Sequence, residues 1–292
     1  MIVALVLLGV PLVGLKPWEP GSLHGPADRA RFEKRFQVVR DTPPYRLAGL
    51  ERYDRAQMSD ALLLGDLLFH APLLLGPRAA WFGLSCSTCH PGGASHNTLY
   101  VEAQSDRPGN VDLLSDYFHA EADDGVFAPR NISSLRGAAR TPPYRRDGAV
   151  ASLSEANRLV VRHEFQQQVP EPWLAALDAY VARLELWPSP SLTPEGALTP
   201  AATALARAGE AVFEQPREGL EGKSCASCHV KASGFTDGQR HAFRHGEGKG
   251  TLGRTERFDT PTLLNAAETA PYFFDGSAAD FTAAVAQLDA RH

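Results

Sequence analysis

An all-α fold built from two related halves is what this sequence predicts, on three observations. All four cysteines of the 292-residue chain fall in two short windows, "CSTCH" at Cys86–His90 and "CASCH" at Cys225–His229, offset by 139 residues. A second segment is also repeated. Residues 133–156, "SSLRGAARTPPYRRDGAVASLSEA", align without a gap with residues 261–284, "PTLLNAAETAPYFFDGSAADFTAA". The two copies share Leu, Ala-Ala, Thr, Pro-Tyr, Asp-Gly and two later alanines. Third, apolar residues recur at helical spacing, and no alternating strand pattern competes over a comparable length.

Taken in order, the chain opens on "MIVALVLLGVPLVGLKPWEP", with an apolar run from Ile2 to Leu15. The run is shorter than the roughly 20 residues of a membrane span and suits the core of a signal peptide. No basic residue precedes it and no small-x-small cleavage site follows closely. Residues 1–20 therefore read as a signal peptide or an uncleaved N-terminal anchor, with a buried helix as the bland alternative. "SDALLLGDLLFH" is an apolar helix ending just before the first cysteine window. Ser152 with Glu155 makes a capping box ahead of Leu159 and Val160. In "EPWLAALDAYVARLELW", Trp173, Leu174, Leu177, Tyr180, Val181 and Leu184 recur at helical spacing, and Pro172 suits a first turn. "LWPSPSLTPEGALTP", residues 186–200, reads as a Pro-rich interdomain linker, with Thr199 and Pro200 starting the next helix. The halves are thus residues 27–190 and 196–292. The chain stops at His292, apparently inside a helix beginning near Ala279, so the second half is expected to be truncated.

Composition narrows the function classes. Hydrophobic content of 43% and charged content of 22% are ordinary for a globular protein. A net charge of −5 leaves no basic footprint for nucleic acid; it would weakly steer a basic partner.

Three readings compete for the cysteine windows. A disulfide within C-x-x-C gives the adjacent histidines no role. A structural zinc site normally has its second ligand pair some 12–20 residues away, and here the separation is far larger. Covalent c-type haem attachment uses every residue: each thiol forms a thioether with a vinyl group, and the following histidine supplies an axial nitrogen to iron. Cys86, Cys89, Cys225 and Cys228 are accordingly the attachment residues, and His90 and His229 the proximal ligands. Because haem c is attached outside the bacterial cytoplasm, this agrees with export to the periplasm.

From "LGDLLFHAPLLLG" through "LSCSTCH", "APRNISSLRG" and "GEAVF…CASCH…GFTDG" to "FDTPTLLNAAETAPYFFDGS", the chain resembles the bacterial dihaem cytochrome c peroxidase and MauG superfamily. The resemblance covers about residues 60–290. It implies two cytochrome-c-like haem domains in tandem with long loops around the haems, often with calcium between them. One haem relays an electron and the other meets hydrogen peroxide. The implied donor is a small cytochrome c or a cupredoxin, and a homodimer is left open. Asn131, in "PRN", matches a calcium-site residue. Glu164, in "RHEF", falls close to the distal-pocket glutamate, where a carboxylate shuttles the peroxide proton; as an alternative it is an exposed helix-end carboxylate. The chain departs from the pattern in three places. Arg146 stands where many members place a tryptophan before Asp-Gly. Phe273 stands at the methionine-ligand position, and Phe274 replaces the histidine that usually follows.

Candidates for a sixth iron ligand are His119 in "SDYFHAEADDG", where the family places a distal histidine, and more weakly His96, His241, His245 and Tyr272. Tyr272 has a precedent in MauG-like proteins, against which Tyr144 occupies the same place in the first copy and reads as packing. Three functions remain open: a peroxidase, a MauG-like oxidase of residues on a partner protein, and a dihaem electron carrier. The peroxidase leads, since Arg146 weighs against the second and Glu164 against the third.

Overall fold

The computed structural model describes residues 59–115, 125–244 and 255–291. The N-terminal apolar segment and Met58 lie outside the described residues. Among the described residues, no helix is long and apolar enough to cross a membrane.

The first helix, α1 (Asp60–His70), starts where Ser59 Oγ accepts a hydrogen bond from Leu62 N at 3.3 Å. Such a cap satisfies one of the donors that a helix start leaves over. Two short helices follow, α2 (Pro77–Phe82) and α3 (Cys86–Cys89), the latter a single turn carrying the first cysteine pair. After a long connection come α4 (Leu153–His163) and α5 (Glu171–Ala182), with Pro172 in the first turn of α5 as its fixed φ favours. The second half repeats the scheme with α6 (Ala204–Glu214), the single turn α7 (Cys225–Cys228) and α8 (Phe281–Arg291).

Helices α1 and α5 pack face to face and form the main core. Leu64, Leu68 and Phe69 meet Trp173, Leu177, Tyr180 and Val181, with Leu75, Leu84, Leu99 and Val161 closing the cluster. The close approach is made at Gly65. A Cβ placed there would strike the Ala176 carbonyl oxygen and lie 2.7 Å from Tyr180 Cβ, so only hydrogen fits.

The all-helical expectation needs one amendment. The protein is largely helical, but each half also carries a short antiparallel ladder. In the first, β1 (Asn110–Val111) pairs with β2 (Arg130–Asn131); in the second, β3 (Arg240–Arg244) pairs with β4 (Thr255–Asp259). Strands of two residues leave no periodicity to read, and in β3 the polar and apolar positions are too few to outweigh the helical signal.

Local departures have local causes. Ser152 does cap α4, accepting from Glu155 N at 3.2 Å. The Glu155 side chain, however, faces Arg158 (3.4 Å) instead of closing the expected box. Helix α6 is capped by Thr203, not begun by Thr199 and Pro200; Thr199 Oγ1 donates instead to Pro190 O at 2.6 Å. The Pro-rich stretch 186–200 is fastened along its length. Leu192 bridges Leu198, and Asn265 holds the Trp187 backbone at both N and O (2.7 and 3.0 Å).

Replacing Gly65 by Ala should force α1 away from α5. Overpacking of this kind costs about 1–3 kcal/mol, to be read as a lowered melting temperature, and a Gly65→Ala protein that melts like the native one would contradict the packing described.

Candidate functional site

The two cysteine windows are built alike. The N–H of Ser85 donates to Thr88 Oγ1 at 3.0 Å, and that of Ser224 to Ser227 Oγ at 3.0 Å. Each turn ends with the histidine N–H on the first cysteine's carbonyl, at 2.8 Å for His90 and 2.9 Å for His229. The backbone then leaves the helix at both histidines, so both thiols sit on one turn with the imidazole directly after them.

The other repeated segment returns to grip each turn. In the first half Ser134 Oγ donates to Gly93 O, as does Leu135 N at 2.8 Å, while Arg136 Nη1 reaches Gly92 O at 2.8 Å. In the second half Thr262, the repeat equivalent of Ser134, donates to Gly234 O at 2.5 Å. The same segments present the backbone of Ser133 to His90 and that of Pro261, its equivalent, to His229. The next turns also match. Tyr144 Oη donates to Ala138 O at 3.1 Å and Tyr272 Oη to Ala266 O at 2.7 Å. Tyr144 bridges Val150 as Tyr272 bridges Ala278. Arg145 and Phe273 both take left-handed backbone, with φ of 64° and 68°.

Electrostatics suit the imidazoles to metal. Burial drives His90 down to about 4, against a smaller opposing pull from the Ser133 backbone, so it is neutral at physiological pH. Its Nδ1 is buried and has no hydrogen-bond partner among the described residues. Burial also lowers His229, whose Nδ1 lies 3.0 Å from Phe235 O. That contact fixes the ring and leaves Nε2 for a metal. Among the described residues all four cysteines are free thiols. Two thiols on one turn followed by a neutral imidazole, made twice, is the donor set that covalent haem attachment requires, and the residues fit that group.

Glu164 stands at the C-terminal end of α4. Burial pushes its carboxyl up to about 7, with the Arg145 guanidinium pulling the other way. Its charge adds to burial in raising both the Cys86 and the Cys89 thiols, the former to about 12. The half-buried carboxyl is therefore near enough to the first attachment site for its charge to be felt there. Sequence reasoning missed Arg145, although two arginines inside an otherwise aromatic repeat position were a visible signal.

Beside the second attachment site, His241 Nε2 lies 2.7 Å from Asp237 Oδ2, and ligand atoms of Cys228, Asp237 and His241 all lie within 4.8 Å of one another. The sequence drew attention to His241 but not to Asp237, four residues earlier. Tyr272 spends its hydroxyl hydrogen on the Ala266 carbonyl and meets Phe281 edge-on at 5.3 Å. Phe273 packs against Phe243 at 5.6 Å. His96 is buried, at 3% exposure, and close enough to His90 to lower it further. His119 and His245 lie outside the described residues.

Asn131 joins the two halves. Its N–H donates to Phe274 O at 2.8 Å and its side-chain amide to Pro271 O at 2.6 Å. Its Oδ1 is buried and has no hydrogen-bond partner among the described residues. The Arg146 guanidinium donates to the Asn131 main-chain oxygen and lies over the Phe274 ring at 5.1 Å; Arg130 lies over the same ring at 5.1 Å.

Comparison with known proteins places this geometry. Residues 203–289 match the model of the di-haem cytochrome c peroxidase family. The chain is 27% identical to hydrazine synthase subunit gamma of Kuenenia stuttgartiensis, over 68% of this chain and 64% of that protein. It is 39% identical to the methylamine utilization protein MauG of Methylorubrum extorquens, over 36% of this chain and 27% of MauG. Less than two thirds of either relative is thus spanned. Among solved structures, hydrazine synthase of Kuenenia stuttgartiensis shares the fold with a TM-score of 0.53 at 20% identity, covering 94% of this chain and 90% of that one. The resemblance carried by the sequence motifs is thus supported over part of the chain: residues 203–289 match the di-haem cytochrome c peroxidase family, and a stretch of about a third of the chain is similar to MauG.

Proposed function

We propose that this chain is a dihaem c-type peroxidase with haem domains at residues 27–190 and 196–292. It reduces hydrogen peroxide in the periplasm with electrons from a small cytochrome c or cupredoxin. The observation that carries this reading is Glu164, a half-buried carboxyl at the C-terminal end of α4, raised toward neutrality by loss of water and near enough to the Cys86/Cys89 turn for its charge to act on both thiols.

Cys86 and Cys89 in one half, and Cys225 and Cys228 in the other, would hold a haem through thioethers to its two vinyl groups, an addition of S–H across each double bond that needs no net oxidation. His90 and His229 offer Nε2 to iron. Bound haem supplies the redox chemistry of iron, which no side chain here can provide. With haem bound, the ionised Glu164 carboxylate would take a proton from one peroxide oxygen and return it to the other; two electrons from the donor and two protons from solvent complete the reduction of the O–O bond to two waters. General acid–base help of this kind is worth about 10²–10⁴ in rate. A carboxyl tuned to the working pH does this best, because it gains and releases the proton with similar ease. The hydrogen bond from Tyr272 to Ala266, matched by Tyr144, supports packing and not ligation for that phenol.

Calcium does not fit the described surroundings of Asn131. The ion takes six to eight oxygens. Here the Asn131 main-chain oxygen is taken by Arg146, Pro271 O is taken by the Asn131 amide, and two guanidinium groups flank the place.

A second reading is an electron-relay subunit of a larger assembly. Its support is that the relative aligned over the longer stretch is named as a subunit of hydrazine synthase. Haems that stay inert to peroxide in every redox state would favour it. The MauG-like alternative is weakened by Arg146, which stands where many members of the superfamily carry tryptophan.

Denaturation in acidified organic solvent should leave two haems on each chain, because thioethers survive it; release of either haem would remove the attachment assignment. Glu164→Gln should keep both haem spectra and slow the peroxide reaction about 10²-fold or more. In the native protein the rate should climb as pH rises through about 7, where the carboxyl ionises; the variant should lose that inflection, and an unchanged profile would return Glu164 to a structural role. Ferric spectra should lack the long-wavelength sulfur-to-iron band at the second haem, since Phe273 cannot ligate and the sequence has only two methionines, Met1 in the N-terminal apolar segment and Met58 upstream of the first haem window; persistence of the band in Met58→Leu would contradict this.

A further inference from the structure

The seam between the two repeats is built from equivalent positions. Asn131 and Asp259 match each other in the repeat alignment, as do Arg146 and Phe274. Across the seam Asn131 N–H donates to Phe274 O and Asp259 N–H to Arg146 O, each at 2.8 Å. The pair is reciprocal in the backbone, but the side chains differ: one copy brings a cation and the other an aromatic face. The Arg146 guanidinium lies over that face at 5.1 Å and donates to the Asn131 carbonyl. Asp275, itself buried, attracts Arg146, and Arg130 repels it. Asn110 Nδ2 reaches across to Asp275 O at 2.9 Å.

We infer that Arg146 is the resident cation of this seam, a positioning residue that aligns the two haem-binding halves and makes their alignment independent of calcium. Carbonyl oxygens of Asn131, Phe274, Pro271 and Asp275 gather where the halves meet, and carbonyl oxygens with an aromatic face attract positive charge. A guanidinium meets that demand from within the chain, with a planar donor set and a weakly hydrated charge. A calcium ion brought to Asn131 Oδ1 would have to stand beside Arg146 and Arg130. The inference rests on the two-haem reading, not on peroxide chemistry.

The test uses the dihaem holoprotein, with haem content measured first; fewer than two haems per chain would sink the functional reading, and the calcium measurements would still judge this one. In the native protein, removing calcium with a chelator or adding millimolar calcium should leave the melting temperature unchanged. The same should hold for the rate at which an electron redistributes between the haems after half-reduction. Arg146→Gln should slow that redistribution severalfold and make it respond to calcium, because the Asn131 main-chain oxygen then loses its guanidinium donor and one of the two cations that repel calcium is gone. Arg146→Lys should recover a large part of the native rate. Stoichiometric calcium binding by the native protein, with a change in melting or in redistribution, would overturn the inference. So would an Arg146→Gln protein that redistributes electrons at the native rate. Should Arg146→Gln fail to yield dihaem protein, the Lys variant and the native calcium titration decide alone, and a Lys variant that gained calcium dependence would also count against it.

Discussion

Two main-chain hydrogen bonds organise the molecule: Asn131 N–H to Phe274 O, and Asp259 N–H to Arg146 O. Each joins the ladder of one half to the turn of the other. A buried backbone donor must find a partner, so each half meets part of its own requirement only when the other is in place. Two residues beyond each ladder, Ser133 and Pro261 present their backbones to His90 and His229. The seam and the histidines therefore share the same short stretches of chain. A displacement at the seam is passed to an imidazole through two residues of extended backbone, with no long path needed.

The duplication gives the halves one frame, and the departures from it give them different interiors. At the position after the repeated tyrosine, the first half has Arg145 and the second Phe273, both on left-handed backbone that ordinarily favours glycine. Both halves thus accept the strain of a large side chain at that point. Phe273 extends an aromatic group with Phe243, Phe258 and Phe274. Arg145 instead acts on Glu164, drawing its carboxyl back toward ionisation. Each half thus has a carboxyl raised by burial, Glu164 in the first and Asp259 in the second, but only the first has an arginine acting on it. The second half carries this ring group, and it sets the pair His241 and Asp237 beside Cys228.

Much of this was legible in the sequence because it depends on spacing. The C-x-x-C-H windows could be read since two thiols three residues apart must share a face of a helical turn, and the helices α1 and α5 since their apolar residues recur with the helical period. The repeat was legible for the same reason, and Tyr144 and Tyr272 do make the same hydrogen bond. The ladders were not legible. Their pairing is fixed by contacts across long connections, and β1 and β2 are too short to leave a pattern. The start of α6 was misplaced because Thr199 and Thr203 are both plausible caps, and only tertiary contact of Thr199 with Pro190 separates them. Arg146 was noticed as a departure, but its partner Phe274 lies 128 residues away, and nothing local announces that they meet.

One physical effect, removal from water, prepares both kinds of group in the first half. Desolvation penalises whichever form carries charge. For His90 that means losing the proton, and the imidazole reaches about 4, so its nitrogens are free to bind metal. For Glu164 it means keeping the proton, and the carboxyl reaches about 7. A pocket dry enough to accept a flat apolar ring thus needs no separate device to make its ligand basic and its acid weak. Arg145 opposes that rise, since a positive charge nearby favours the ionised carboxylate. Loss of water and the neighbouring cation thus act on the same group from opposite sides: the first weakens the acid, and the second restores part of its strength.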